Sequence, residues 1–255
     1  MSDPSPPGHN PVSIVVPTFR EAANIPTLVR RVSAALSHWP AEWELILVDD
    51  DSNDGSEAIV AEWGRRLPVR MVTRRGATRD LSLSVLEGMR LARFDRLVVM
   101  DADLSHPPEQ IIDLLAALDA DCDMVVGSRY APEARMDPAW SGARALLSRA
   151  GTLMACPLAD CRDPLSGFFA TDRRVLPDLE DLHPVGYKIA LELMARGRLR
   201  VREVPIRFGA RHRGKSKLNW RTPFNYLRHL SRLYGYRVHD RVRRTFSDRP
   251  PRSAS

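Results

Sequence analysis

Three cysteines in 255 residues are too few for a disulfide framework, and Cys156 and Cys161, spaced Cys-x4-Cys, lack the second half of a zinc site. No apolar run approaches the roughly 18 residues that a membrane-crossing helix needs, so no span is expected. The start, MSDPSPPGHNP, is polar and Pro-rich and has no apolar centre of the signal-peptide kind. A reducing cytoplasm is therefore the expected compartment. Neither Gly-x-Gly-x-x-Gly nor Gly-x4-Gly-Lys-Ser/Thr follows the first predicted strand, which argues against a dinucleotide-binding fold and a P-loop.

What the chain does have is a hydrophobic fraction of 44% with 27% charged residues, a composition that folds around a sizeable core as one large domain or two small ones. The net charge of +6 hides an asymmetry: residues 1–195 carry 20 basic and 29 acidic residues, residues 196–255 carry 18 basic and 3 acidic. The last quarter is cationic. Such a surface suits phosphates, whether of nucleic acid, a nucleotide or anionic lipid headgroups, or else serves only as a solvated Arg-rich face. No helix-turn-helix or ribonucleoprotein motif accompanies it, so no nucleic-acid partner is expected.

Short β-branched runs alternate with segments of helical spacing. Strands are expected at Val12–Pro17, Glu44–Val48, Val69–Thr73, Arg96–Met100 and Met124–Val126. Helices are expected over 21–37, with Ile25, Leu28, Val29, Val32 and Leu36 on one face, and at Ala58–Trp63, Leu83–Ala92 and Pro108–Leu118. This order implies an α/β fold, a mostly parallel central sheet with helices on both faces. Residues 1–11 and 245–255 are expected as disordered tails, 12–220 as the main domain and 221–244 as a basic amphipathic helix.

Ligands of open α/β sheets bind beyond the carboxyl ends of the strands, and the unusual residues fall there. The first strand ends in Pro17-Thr18-Phe19-Arg20-Glu21, the second in Asp49-Asp50-Asp51-Ser52-Asn53-Asp54-Gly55, the fourth in Asp101-Ala102-Asp103. Like charges so close repel unless a cation lies between them, and hard oxygen ligands of this type select Mg²⁺ or Mn²⁺ together with substrate phosphates. The bland readings are an Asx turn at 49–55 and helix capping at 101–103.

These segments, with Gly127-Ser128-Arg129-Tyr130, resemble the GT-A glycosyltransferases of family two. Asp163-Pro164-Leu165-Ser166-Gly167-Phe168-Phe169, Gly186-Tyr187-Lys188-Ile189 and Glu203-Val204-Pro205-Ile206-x-Phe208-x-x-Arg211-x-x-Gly214-x-Ser216-Lys217-Leu218 resemble the polyprenol-phosphate (dolichol-phosphate) mannosyltransferase branch. The resemblance runs from about Val12 to about Tyr236 and implies a GT-A fold and an enzyme. Its implied reaction is inverting transfer of a sugar, mannose from GDP-mannose, to a polyprenyl phosphate; a UDP-sugar donor stays open on the residues alone. By the same match Pro17, Phe19, Glu21, Val48 and Asp50 hold the nucleoside. Asp101 and Asp103 bind Mg²⁺ or Mn²⁺ assisted by Ser105, Ala102 lies against the donor, and Arg129, Arg211 and Lys217 neutralise phosphates. Asp163, Ser166 and Gly167 form a loop on the acceptor side. Phe19 stands where the family usually has Tyr, which keeps a stacking ring and loses a hydroxyl. Arg79-Asp80-Leu81-Ser82-Leu83-Ser84-Val85 replaces a Gly-rich segment.

A phosphate monoester is largely ionised near neutral pH, its second pKa being about 6, so such an acceptor needs no strong general base. The expected catalysis is electrostatic, with Asp103, Arg129, Arg211 and Lys217 as its residues. Over Thr222–Arg244, Phe224, Leu227, Leu230 or Ser231, and Tyr234 recur near helical spacing among six arginines, with Arg221 just before them. That reads either as a helix lying at the cytoplasmic membrane face or as one packed on the domain. His106 is expected as a turn histidine and Cys156 and Cys161 as buried thiols. Trp39, Trp43, Trp63 and Trp140 are expected as packing residues.

Overall fold

The computed structural model describes residues 10–76, 78–137, 142–182, 188–209 and 221–247. Strands β1 (Val12–Thr18), β2 (Trp43–Asp49), β3 (Val69–Thr73), β4 (Arg96–Val99), β5 (Met124–Ser128), β7 (Phe169–Asp172) and β8 (Val201–Pro205) form a seven-stranded sheet in the order β3-β2-β1-β4-β7-β5-β8. All pairs are parallel except those of β7, which runs antiparallel between β4 and β5. A two-stranded sheet joins β6 (Arg135–Met136) to β9 (Arg207–Phe208). The helices are α1 (Ile25–Ala35), α2 (Ser56–Gly64), α3 (Leu81–Leu91), α4 (Ile111–Ala117), α5 (Gly142–Ala155), α6 (Ile189–Gly197) and α7 (Arg221–Ser247).

Each face of the sheet carries its own apolar cluster, as a sheet covered on both sides requires. Val12, Ile14 and Val16 pack with Leu28, Val32 and Leu114 on one face; Val15, Ile46 and Val48 pack with Val85, Met89 and Leu193 on the other. Alternation along β1 divides its side chains between the two. At the amino end of the sheet the buried Glu44 is satisfied by Ser13 Oγ (2.7 Å), the Arg93 N–H (2.6 Å) and Arg70 Nε (3.0 Å). Trp39, Trp43 and Trp63 pack against the core, while Trp140 lies outside the described residues.

Several expected boundaries move for identifiable reasons. Helix α1 begins at Ile25, not Glu21, with Pro26 in its first turn, because residues 21–24 form a separate turn in which the Asn24 N–H donates to the Glu21 carbonyl (2.8 Å). Helix α3 starts two residues earlier than expected, since Asp80 caps it: Asp80 Oδ1 accepts from the Ser82 N–H at 2.8 Å. The expected helix at Pro108 opens as a 3₁₀ turn over Pro108–Gln110 and becomes α-helical at Ile111. Cys156 and Cys161, expected as buried thiols, are half-buried, and Cys161 Sγ lies 3.7 Å from Met194 Sδ.

Helix α7 extends to Ser247 and packs on α6 through Leu230 and Leu233, both buried, while Phe224, Leu227, Tyr234 and Val238 are exposed. The inward face is thus Leu230 and Leu233, shifted from the stripe the spacing suggested. No helix among the described residues is long and apolar enough to cross a membrane.

Candidate functional site

Parallel strands deliver their carboxyl ends, and the loops after them, to one edge of the sheet. At β2 the Asp49 carboxylate accepts from Thr18 Oγ1 (3.2 Å) and from the Ser52 N–H (2.8 Å), which ties the loop after β1 to the loop after β2. Ser52 Oγ in turn accepts from the Arg20 N–H (2.8 Å), and Asp54 Oδ2 from the Ala22 N–H (3.0 Å). Beside them Asp50 Oδ1 receives Arg74 Nη2 at 2.8 Å, and the Arg79 guanidinium lies 4.9 Å from the centre of the Phe19 ring. Arg20, Asp51, Asn53 and Leu104 have φ of 57°, 57°, 49° and 64°, a left-handed conformation unusual for side-chain-bearing residues. All four are in loops at this edge.

The loop after β4 is folded on itself. Ser105 presents both its N–H (3.1 Å) and its hydroxyl (2.6 Å) to Asp103 Oδ1. His106 Nδ1 accepts from the Asp101 N–H at 3.2 Å, so the ring's proton resides on Nε2. Burial pushes the His106 pKa below its ordinary value, against the opposing charges of Asp101 and Asp103. Its ring stacks on Phe168 with centroids 5.4 Å apart and meets Phe208 edge-on at 5.5 Å. The Asp101 side chain is 47% exposed, whereas Asp103 is nearly buried.

The other wall comes from β5, the loop before β7, and α6. Asp163, fully buried, accepts from the Arg129 N–H (2.9 Å), Nε (2.8 Å) and Nη2 (2.8 Å). Burial pulls the Arg129 guanidinium down, but the hydrogen bonds and charge of Asp163 outweigh it and its pKa stands above the ordinary arginine value. Ser166 Oγ donates to the Gly127 carbonyl (2.7 Å) and pins the loop to β5. Gly167 lies against Asp101 so closely that a Cβ there would sit 3.3 Å and 3.4 Å from its two carboxylate oxygens. Lys188, which precedes α6, is pushed down to about 7 by burial first and by the Arg129 charge second, against Asp163 and Asp101.

Asp50, Asp101, Ala102, Asp103, Arg129, Asp163, Ser166 and Gly167 all fall in loops at this edge, next to Phe19 and Glu21. Arg211 and Lys217 lie outside the described residues. Three of the expected residues sit in settings that the sequence did not show. Val48 is fully buried in the core beneath α3 and paired within the sheet to both β1 and β3, so its side chain does not reach the edge. Ser105 directs its hydroxyl at Asp103, orienting that carboxylate. Arg129 is engaged by Asp163, so its charge is matched within the protein. Lys188 stood in a quoted motif without a role, yet a signal was present: it is one of three lysines in a chain with 38 basic residues. Arg74 carried no motif signal, because its partner Asp50 is 24 residues away.

The donors present suit a divalent cation. Two carboxylates, one half-exposed and one braced by a hydroxyl, leave coordination positions for water and phosphate oxygens, as Mg²⁺ and Mn²⁺ favour. Among the described residues no cluster of three or more His, Cys, Asp or Glu forms a closed cage.

A mostly parallel sheet with one inserted antiparallel strand and an Asp-x-Asp beyond its fourth strand defines a GT-A glycosyltransferase. Solved structures agree on the fold. Glucosyl-3-phosphoglycerate synthase from Mycobacterium tuberculosis, crystallised with Mn²⁺, UDP-glucose and phosphoglyceric acid, superposes with a TM-score of 0.60 at 22% identity, covering 81% of this chain and 73% of that one. Mannosyl-3-phosphoglycerate synthase from Rubrobacter xylanophilus gives 0.59 at 18% identity, covering 96% and 79%. The chain belongs to glycosyl transferase family 2, whose family model matches residues 13–179. It is 40% identical over 228 residues to the dolichol-phosphate mannosyltransferase of Pyrococcus furiosus, a match covering 87% of this chain and 63% of that relative. Identity to the dolichol-phosphate mannosyltransferase of Saccharomyces cerevisiae is 39%, covering 88% and 87%, and to the polyprenol monophosphomannose synthase of Mycolicibacterium smegmatis 34%, covering 81% and 80%.

Proposed function

We propose that this glycosyltransferase moves a mannosyl residue from GDP-mannose to a polyprenyl phosphate, with inversion at the anomeric carbon, at a membrane surface. The observation that carries the reading is the apposition of Gly167, on the loop held by the Arg129–Asp163 pair, to the Asp101 carboxylate. Donor-side and acceptor-side elements thereby share one cleft. The names of the relatives supply the class of sugar and acceptor.

In this reading Asp101 and Asp103 hold Mg²⁺ or Mn²⁺, which when bound neutralises the departing diphosphate. Ser105 keeps the Asp103 carboxylate aimed, and the His106 ring, neutral and packed on Phe168, supports the Asp101 backbone. Phe19 offers an aromatic face to the base, and Asp50 offers its carboxylate to base N–H groups. Arg211 and Lys217 are assigned to phosphates from the sequence. The acceptor's phosphate is already ionised and attacks without surrendering a proton to the protein, so the residues orient and neutralise rather than act as bases.

Exposed Phe224, Leu227 and Val238 on α7 and Leu146 and Leu153 on α5, set among arginines, suit the headgroup layer from which a polyprenyl phosphate would be taken. The test incubates the protein with Mn²⁺ or Mg²⁺, a polyprenyl phosphate, and labelled GDP- and UDP-sugars. Label from GDP-mannose alone is expected in the lipid fraction, with the opposite anomeric configuration. Label from a UDP-sugar, or none in lipid, overturns the reading.

A further inference from the structure

The Phe19 ring, half-buried in the loop after β1, is not bare. The Arg79 guanidinium stands over it, 4.9 Å from the ring centre, within the range where an aromatic face attracts a cation. Arg20 is also near, at 5.2 Å, but it follows Phe19 in the chain and travels with it. Arg79 reaches the ring from another segment, so the gap between Phe19 and Arg79 is the one that can open. The proposed reaction leaves Arg79 without a part.

The backbone around Arg79 is held on both sides. Arg74 Nη2 donates to Asp50 Oδ1 at 2.8 Å and to the Thr78 carbonyl at 2.5 Å, which ties the residue before Arg79 to the Asp50 carboxylate. The residue after it, Asp80, caps α3 through the Ser82 N–H. The Arg79 side chain itself is exposed and free to turn on this fixed base. Phe19, Asp50 and Arg79, from three separate segments, therefore meet at one corner of the edge.

A nucleobase cannot enter between the ring and the guanidinium as they stand. Two van der Waals layers need about 7 Å, and the separation is 4.9 Å. For a base to stack on that face of Phe19 the guanidinium must lift, and it then meets the base's outer face at stacking distance. A guanidinium is flat and delocalised, so it covers such a face as an ammonium cannot.

We propose that Arg79 is a clamp on the nucleobase of the donor: it lifts from Phe19 to admit the base, then stacks on the side turned away from the ring. The inference rests on the base sitting on Phe19, as proposed above. It makes the base the middle layer between a phenyl ring and a guanidinium, with Asp50 beside it at the same corner.

Stopped-flow binding of GDP with a fluorescent ribose label, in Mn²⁺, to the full chain and to Arg79→Ala and Arg79→Lys provides the test. Arg79→Ala should raise koff about three- to tenfold, as loss of a cation–π contact does, while kon stays the same or rises because nothing has to lift. A residue that only drew in the diphosphate by its charge would act the other way, its loss lowering kon. Arg79→Lys keeps the charge and loses the plane, so its koff should stay close to that of Arg79→Ala. In a Phe19→Leu background, where the base has no ring to rest on, Arg79→Ala should alter koff less than twofold further. A koff within twofold of wild type, a lowered kon, full recovery by Arg79→Lys or an undiminished effect in Phe19→Leu overturns the proposal.

The outcomes separate this inference from the functional reading. If labelled UDP binds and labelled GDP does not, the proposed donor is wrong, and the same variants measured with UDP decide the clamp by the same criteria. Transfer from GDP-mannose with a wild-type koff in Arg79→Ala keeps the proposed reaction and sinks the clamp. If neither nucleotide binds, both fall.

Discussion

The Arg129 guanidinium grips the fully buried Asp163 carboxylate through Nε and Nη2, and the Arg129 backbone N–H binds the same carboxylate. Three donors from one residue fix the loop at 163–167 to the end of β5. Removing one charge of such a pair leaves the other buried and unmatched, which costs about 3–5 kcal/mol. Asp163→Asn should lower the stability of the folded protein by that order in urea or thermal melts. A melting temperature equal to wild type would show that the pair is not what holds the loop.

Gly167 is required by space. The Cβ of Gly167→Ala would lie 3.3 Å from Asp101 Oδ1 and 3.4 Å from His106 Cε1, so the carboxylate must yield by a few tenths of an ångström. Misplacing a reacting group by about 1 Å costs on the order of 100-fold, so a smaller shift should reduce kcat by about tenfold. The melting temperature should barely change, because Asp101 is half-exposed. Undiminished kcat would separate Gly167 from the site.

Asp103→Ala should abolish turnover at saturating donor and metal. Ser105→Ala removes the 2.6 Å bond that aims the Asp103 carboxylate and should weaken divalent-metal affinity about tenfold, the effect of losing one hydrogen bond to a charged group. Isothermal titration with Mn²⁺ in the presence of nucleotide measures this. Normal turnover by Asp103→Ala would refute the metal assignment.

The shift of Lys188 predicts a pH dependence of stability with a definite sign. Its pKa in the folded protein is about 7, against 10.5 for an ordinary lysine. Between those values the unfolded chain binds a proton that the folded one does not, so stability should rise with pH from about 7 to about 10.5. Below pH 7 both states carry the charge, and folding bears the full cost of burying it. Lys188→Met should be more stable than wild type at pH 6 and lose the slope above pH 7. Parallel curves for the two proteins would mean that the ammonium is not desolvated.

Helix α3 lies flush on the sheet because Gly88 has no side chain: a Cβ there would come 2.3 Å from Val15 Cγ1 and 3.0 Å from Val48 Cγ2, both in the core. Gly88→Ala should destabilise the protein by about 1–3 kcal/mol, since an overfilled core must shift backbone or strain rotamers. Chemical denaturation measures it; unchanged stability would show that the helix can lift without cost.

Strand β3 occupies the Val69–Thr73 run read from the sequence, and β1, β2 and β4 lie within one residue of it at either end. Strand β7 was not legible. Its Phe169–Asp172 looks like the tail of a motif loop, and its partners Arg96–Val99 lie some 70 residues earlier. The Arg79-Asp80 departure from a Gly-rich segment also gained its meaning only from the fold, Asp80 as the cap of α3 and Arg79 as the cation over Phe19. Lys188 was visible as a rarity and Arg74 not at all.

The amino-acid sequence by itself determined the alternation of strand and helix and the delivery of Asp50, Asp101 and Asp103 to one edge, because β-branched runs and helical spacing act between near neighbours along the chain. Only the tertiary structure decided that Arg129 belongs to Asp163, that Gly167 touches Asp101 and that Arg79 lies over Phe19. Each of those contacts waits on an antiparallel strand inserted from a distance or on loops that meet only when the sheet assembles, and no local pattern encodes the partner of a residue dozens of positions away.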